Sequence, residues 1–241
     1  MSGIMMAVLN NNIAAAIPFD PVPVTSGLQL YLDAASSTSY SGSGTTWYDL
    51  TSNHNDVVMQ NSSNISFTRS SGSYFTLANN GYFNKATTTG IPTGSSSYTL
   101  CAWIQLGSSW GSNGIIGVGS AYGSGNSVNA FRASGTNTLL NYWWANDFGA
   151  VASLSPATQW FNCVAQWDGT TRRIWVNGTE IGSAAASGLN VTTSLVQIGG
   201  TNTNGSEALQ GNIGQVLIYN RALSSTEIQD NYNAIKTRYG V

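Results

Sequence analysis

The sequence predicts an all-β sandwich or jelly roll that finishes in a single helix. Three observations carry this expectation. From Gly27 onward, apolar residues recur with a period of two, in short runs separated by Ser/Gly/Asn clusters. Charged residues are 7% of the chain, against about 25% in an ordinary soluble domain. Ser, Thr, Asn and 27 Gly stand in their place, a composition that suits turn-rich β structure. The period changes to a helical one only near the end, in "SSTEIQDNYNAIKTRYG".

Taken in order, residues 1–26 read as an extended arm and 27–241 as the domain. The arm carries one charge, Asp20, and three of the five prolines, Pro18, Pro21 and Pro23, which favour extended backbone and break regular pairing. Its apolar residues Ile4, Met5, Met6, Ile17 and Phe19 would fray in water unless held down. Docking on a neighbouring subunit or larger assembly is expected, and folding back on its own domain is the other outcome. No export signal is expected, because a basic n-region is missing and Asn10–Asn12 interrupts the apolar stretch. The five N-x-S/T sequons, at Asn61, Asn64, Asn177, Asn190 and Asn204, then follow from composition alone.

"LQLYLDA" alternates and opens the sheet pattern. "DVVMQ", "NISFTRS" and "SYFTLAN" follow, then the longer "SYTLCAWIQLG". "GIIGVGS", "SVNAFRAS" and "TLLNYWWAN" come next. "QWFNCVAQWDGTTRRIWVNGTEIGS" reads as paired hairpins, turning at Asp168-Gly169 and at Asn177-Gly178, where the residue types tolerate positive φ. "SLVQIGG" and "GNIGQVLIYNRA" complete the strands. The helix is expected over 224–239. Ser224 and Glu227 form a capping box, and Ile228, Tyr232, Ile235 and Tyr239 line one face. Lys236 and Arg238 suit its C-terminal dipole, and Gly240 can end it. Cys101 and Cys163 each fall inside a strand, and buried thiols are favoured over a disulfide.

The net charge is −2 and the eight basic residues are scattered, with only Arg172 and Arg173 adjoining. That leaves no phosphate-tracking stripe, so nucleic acid is not an expected partner. No apolar run approaches the roughly 18 residues of a membrane span.

"ALQGNIGQVLIYNRALSSTEIQDNY", "SYTLCAWIQ" and "WFNCVAQWDGTTRRIWVNGTEIG" resemble the laminin-G-like, concanavalin A-like lectin/glucanase superfamily. The opening "GLQLYLDAASSTSYSGSGTTWYDLTSNHNDVVMQ" resembles the variant found in phage and viral structural proteins. The resemblance covers residues 27 to 235. It implies a two-sheet antiparallel jelly roll, a fold that carries lectins, hydrolases, adhesion modules and capsid parts alike.

Function must therefore come from the residues. A glycosidase needs two positioned carboxylates. The paired-acid strand motif of the superfamily's glucanases is missing, and the only glutamates are Glu180, Glu207 and Glu227. His54 reads as a solvated loop residue, and no enzymatic activity is expected. A lectin needs aromatic platforms with amides and hydroxyls beside them. Trp110 in "LGSSWGSNG" and Tyr142, Trp144, Asn146 and Phe148 in "LLNYWWANDFGA" are the candidates. One at most of Trp143 and Trp144 is core if the strand persists there. For Trp110 and the outer member of that pair, sugar contact and protein contact remain open alternatives. Relatives hold calcium near the sandwich rim, which makes Asp147 with Asn146 the local candidate ligands and Asn113 another.

The expectation is a non-enzymatic virion protein on a capsid or tail surface. It displays a lectin-like domain towards host glycans, holds other virion proteins through the arm and forms a homo-oligomer. A free carbohydrate-binding or adhesion module and a glycoside hydrolase are the alternatives.

Overall fold

The computed structural model describes residues 24–107, 113–119, 125–134, 137–152, 154, 158–201 and 206–241. The arm residues Ile4, Met5, Met6, Ile17 and Phe19, and Trp110, lie outside the described residues.

Strands β1 (Leu28–Asp33), β2 (Thr46–Trp47), β3 (Val57–Gln60), β4 (Ile65–Thr68), β5 (Tyr74–Leu77), β6 (Tyr82–Lys85), β7 (Tyr98–Leu106) and β8 (Asn113–Val118) form the first half. Strands β9 (Asn129–Ser134), β10 (Thr138–Tyr142), β11 (Phe148–Val151), β12 (Phe161–Trp167), β13 (Thr171–Val176), β14 (Thr179–Ala185), β15 (Val196–Ile198) and β16 (Gly211–Tyr219) form the second. They pair antiparallel into two sheets. The first runs β14-β13-β12-β7-β16-β5-β4, with β1 also on β16. The second runs β11-β10-β9-β8-β15-β6-β3-β2. The all-β sandwich expected from the period-two pattern is what forms.

Alternation assigns the faces. Leu100, Ala102 and Ile104 of β7 enter the main core with Phe75, Val196 and Ile198, while Cys101 and Trp103 point to the other side of the first sheet. That outer side is closed by the helix α1 (Ser225–Ile235). Trp47, Trp143 and Trp167 fill the space between the sheets, whereas Trp103 and Trp175 lie under or beside α1. Trp103 stacks on Tyr239 at 4.6 Å and on Tyr232 at 5.8 Å, so two helix-side aromatics clamp one strand residue. Cys163 belongs to the inner face and Cys101 to the outer one, and both are buried free thiols. Side chains on opposite faces of a sheet cannot be bridged.

The Asn177-Gly178 turn takes the left-handed conformations its residues allow, with φ 49° and 76°. The short strands β2, β6 and β11 were not anticipated; with two to four residues each, they carry too little periodicity to register.

The helix keeps its expected start. Ser224 accepts from the Glu227 N–H, and Glu227 accepts from the Ser224 N–H at 2.8 Å. Its end differs from the expected single helix over 224–239. The α-helix stops at Ile235, and Lys236–Tyr239 form a tighter 3-10 turn closed by Gly240 at φ 73°. Arg238 does not serve the helix dipole. It turns inward to Asp33, Nη1 to Oδ2 2.7 Å, with side-chain exposures of 3% and 0%. The same carboxylate accepts from Gln215 Nε2 at 3.2 Å and from the Ala35 N–H at 2.9 Å. Lys236 instead donates to Asn233 Oδ1.

Val24 is tied to the domain. Its N–H donates to Asn231 Oδ1 and its carbonyl accepts from the Tyr219 hydroxyl.

Glu227 also receives Arg221 in a two-pronged pair, at 2.6 and 2.9 Å. Arg221 first, and the Ser224 N–H next, lower its carboxyl from the ordinary value to about 2. A depressed folded value means stabilisation that is present above the unfolded pKa near 4.5 and lost as pH falls towards 2. The pair is partly exposed, so about 1 kcal/mol is expected. The wild type should lose this increment of melting free energy relative to Glu227→Gln between pH 5 and 2. Parallel melting curves of the two proteins would contradict the pairing.

Candidate functional site

The outer face of the second sheet holds the candidate site. On β9, Phe131 and Ala133 enter the core, so Ala130 and Arg132 point outward. Register places Tyr142 opposite Ala130, and Leu140 opposite Arg132. The Arg132 guanidinium lies over the Tyr142 ring, 4.5 Å from its centroid. Its Nη2 donates to Glu207 Oε1 at 2.8 Å, and Glu207 Oε2 accepts from the Thr201 hydroxyl at 2.8 Å.

Glu207 reaches this place because Gly199–Thr201 and Glu207–Ala208 lie against β8. Gly114 makes that possible. A Cβ there would sit 2.6 Å from Glu207 O, Gly200 C and Thr201 N. The Gly114 N–H donates to Glu207 O at 2.8 Å.

Trp144 completes the corner. β10 ends at Tyr142, so the Trp143/Trp144 alternation is decided by a turn and not by a strand. Trp143 is fully buried, donates its indole N–H to Tyr98 Oη at 2.9 Å, and carries the Arg172 guanidinium 4.3 Å from its ring. Trp144 is half-buried, with its ring 6.1 Å from Tyr142 and edge-on to it. Trp144 and Ala145 both take left-handed backbone, φ 62° and 58°, which costs about 1–3 kcal/mol per non-glycine residue. The surroundings enforce that geometry. Arg172 donates to Asn146 O at 2.7 Å and Oδ1 at 3.3 Å. The Asn126 N–H donates to Trp144 O at 3.1 Å, and Asn146 Nδ2 donates to Asn126 Oδ1 at 2.9 Å. Asp147 Oδ1 accepts from the Trp143 N–H at 3.3 Å, and burial raises its carboxyl above the ordinary value.

Of the residues singled out in the sequence, the structure brings Tyr142 and Trp144 together. Phe148 starts β11 on its inward side, packs against the core beside Gly182 of β14, and does not join the platform. Asn146 spends both oxygens on a guanidinium, so a positive charge already stands where a calcium ion would draw on them. Asn113 Oδ1 accepts from the Gln210 N–H at 2.7 Å. Among the described residues, no group of three His, Cys, Asp or Glu side chains converges as a metal site.

Sequence reasoning missed Arg132, Thr201 and Glu207. One signal was available: by alternation in "NAFRAS" Arg132 falls on the outer strand face that a neighbouring hairpin strand fills with Tyr142.

A family model described as the concanavalin A-like lectin/glucanases superfamily matches residues 77–229. Among curated proteins, none matches the chain in sequence. Solved structures share the fold at low identity. A Trypanosoma rangeli sialidase in complex with 2,3-difluorosialic acid superposes with a TM-score of 0.66 at 16% identity, over 99% of this chain and 36% of the sialidase. The binding domain of Paraclostridial Mosquitocidal Protein 1 gives 0.61 at 15%, over 87% of this chain and 52% of that one. The binding domain of Botulinum Neurotoxin DC, in complex with SialylT, gives 0.61 at 14%, over 87% and 52%. The chain thus spans about a third of the sialidase and half of each toxin domain.

Proposed function

Because the chain belongs to the concanavalin A-like lectin/glucanase superfamily, we propose that it is a non-enzymatic, lectin-like module that grips a glycan at the Tyr142–Trp144 corner. The observation that carries this is the left-handed Trp144. A bulky residue is held in disfavoured backbone by Arg172, Asn126 and Asn146, and the effect is to set its ring beside Tyr142. Two rings at a right angle suit the apolar face of a sugar, and the partly exposed Glu207, held in place by the buried Arg132 and Thr201, stands next to them for its hydroxyls. The sialidase and the neurotoxin domain above carry sialic-acid-type ligands in their own complexes, which makes sialylated glycans the first class to test.

Two features favour binding over turnover. Glu207 is already neutralised by Arg132 and Thr201. Burial pushes the Tyr142 phenol up, opposite to the direction an activated tyrosine nucleophile of the sialidase kind needs. A hydrolytic second reading draws on one observation: Asp147, with its raised carboxyl, and Glu207 both lie near enough to Tyr142 to act on its ionisation. Release of fluorophore from a sialoside or hexoside substrate would decide for that reading.

The test of binding is a glycan array run with calcium and with chelator. Trp144→Ala and Tyr142→Ala should each weaken the retained glycan at least about tenfold, about 1.4 kcal/mol. An array blank in both buffers rejects the lectin reading. Calcium dependence would place a cation at the rim, at a site other than the Asn146 oxygens.

As its setting we propose the surface of a virion, capsid or tail, with the arm binding other virion proteins and building a homo-oligomer. The low charge favours packing into interfaces, where buried charge must be paired. A chain lacking residues 1–23, which leaves the tethered Val24 in place, should lose its oligomer in sedimentation. Unchanged assembly would leave the free adhesion module as the better reading.

A further inference from the structure

We propose that the flank of the sandwich where β14 and β11 end the two sheets seats the N-terminal arm of a second copy of this chain, added as strand. The inference rests on the assembling role proposed above for the arm and names the place where it docks.

The hydrogen-bond pattern identifies the free groups. The Ala186 N–H donates to Thr170 O at 2.8 Å, one step past the Thr171–Ala185 pair that ends the β13–β14 ladder. Bonding residues alternate along an antiparallel ladder, so Ala184 and Gly182 also turn their backbone groups to β13. Ser183 and Ala185 then turn N–H and C=O away from the sheet. β11 repeats the arrangement. The Ala152 N–H donates to Asn137 O at 2.7 Å, which assigns Ala150 and Phe148 to β10 and points the groups of Gly149 and Val151 outward. Ser183, Ala185, Gly149 and Val151 are all exposed. The two edges lie side by side, since a Cβ on Gly182 would stand 3.0 Å from the Ala150 Cβ.

The other edges are closed or guarded. On the free side of β1, the Tyr31 N–H donates to Asp49 Oδ1 and the Tyr31 carbonyl accepts from the Leu50 N–H. β2 has two residues and runs into Tyr48, whose N–H donates to Ser39 O. β4 is followed by Arg69, whose guanidinium lies 5.3 Å from the Phe67 ring centroid. Exposed edges are ordinarily blunted by charge, proline or a bulge. Across β11 and β14 the one charged residue is Glu180, neither strand has a proline, and the bulge at Ile181 precedes the free pair. Val151, 76% exposed, is the most exposed large apolar side chain among the described residues.

The arm matches what is open. Residues 1–17 contain no charged side chain and no proline, while Pro18, Pro21 and Pro23 bar residues 18–23 from a regular ladder. Two apolar runs, Ile4–Leu9 and Ile13–Ile17, flank Asn10–Asn12. They are six and five residues long, against seven in β14 and four in β11. Added backbone satisfies the outward groups, and the apolar runs cover Val151. A second copy meeting this flank edge to edge would bring the small side chains of Gly182, Ser183, Ala184 and Ala185. Those are a poor source of the roughly 1,200 Å² that a stable interface buries.

Sedimentation of the full chain and two edge variants tests this. Ser183→Pro removes an outward N–H and spares the β13 ladder, because proline is tolerated on the solvent side of an edge strand. Ala185→Lys keeps the backbone whole and sets a charge against the apolar arm, and it serves if proline unsettles the strand. Each should raise the dissociation constant of the oligomer at least about tenfold with the melting midpoint unchanged. In the assembled wild type, amide exchange at Ser183 and Ala185 should slow by a similar factor. An oligomer of wild-type affinity in both variants overturns the proposal. If removal of residues 1–23 still dissolves that oligomer, the arm keeps its assembling role and only its seat is wrong. A full chain that stays monomeric overturns the proposal too, and protected amides in such a monomer would place the arm on its own edge.

Discussion

Asp33→Ala should cost about 3–5 kcal/mol of unfolding free energy, the loss that follows when one partner of a buried ion pair is removed. The geometry explains the size. Arg238 arrives at Asp33 from the last turn of the chain, and both are shielded from water, at 3% and 0% exposure. Removing the carboxylate strands a guanidinium in low dielectric and also orphans the Gln215 amide and the Ala35 N–H. Two further variants separate charge from shape. Asp33→Asn keeps an acceptor and should lose less. The double change Asp33→Leu with Arg238→Met removes both charges and should regain much of the deficit, because apolar replacements of a buried pair are often neutral or better. Urea midpoints read all three. A loss below about 1 kcal/mol in Asp33→Ala would mean that Arg238 swings into solvent at little cost and that the pair does not fasten the helix end.

Gly114→Ala should damage stability and site together. The added methyl would stand 2.6 Å from three backbone atoms that lie against β8, Glu207 O, Gly200 C and Thr201 N. Backbone cannot rotate away as a flexible side chain can, so these residues must lift off β8. Overpacking of this kind costs about 1–3 kcal/mol, and the lost Gly114-to-Glu207 hydrogen bond adds about 1. Glu207 then leaves Arg132, and glycan affinity should fall alongside stability. Gly125→Ala is the matched control. It lies near Trp144 in the same corner, but its added Cβ would meet only Trp144 O at an ordinary 3.6 Å, so a change within about 0.5 kcal/mol is expected. Equal behaviour of the two variants would show that the backbone against β8 is looser than the described contacts require.

Local features of the fold were legible in the sequence and distant ones were not. The helix start could be read because Ser224 and Glu227 are three residues apart and apolar residues repeat on one face. The hairpin turns were legible because Asn-Gly encodes its own backbone. The Asp33–Arg238 pair was not legible because the partners are 205 residues apart, and no local pattern signals such a pairing. The helix end was misjudged for the same reason: Arg238 suits a helix dipole locally, and a buried carboxylate on β1 wins. At the site, aromatic identity singled out Tyr142 and Trp144, but the polar half depends on distant residues laid against β8. Phe148 looked equivalent to them, and only the register of β11 turns it inward.

The opposite-facing cysteines make the protein its own reporter. Cys101 is sealed under α1 and Cys163 between the sheets, and burial pushes the Cys101 thiol up to about 12. Alkylating reagents need thiolate and access, so the native state is silent to them. Detachment of the helix uncovers one sulfur, while separation of the two sheets is needed to uncover the other. Mass spectrometry of a labelling time course therefore records peeling of the outer layer and opening of the sandwich as distinct events, and a cysteine engineered on the surface can carry a single dye without removing either native one.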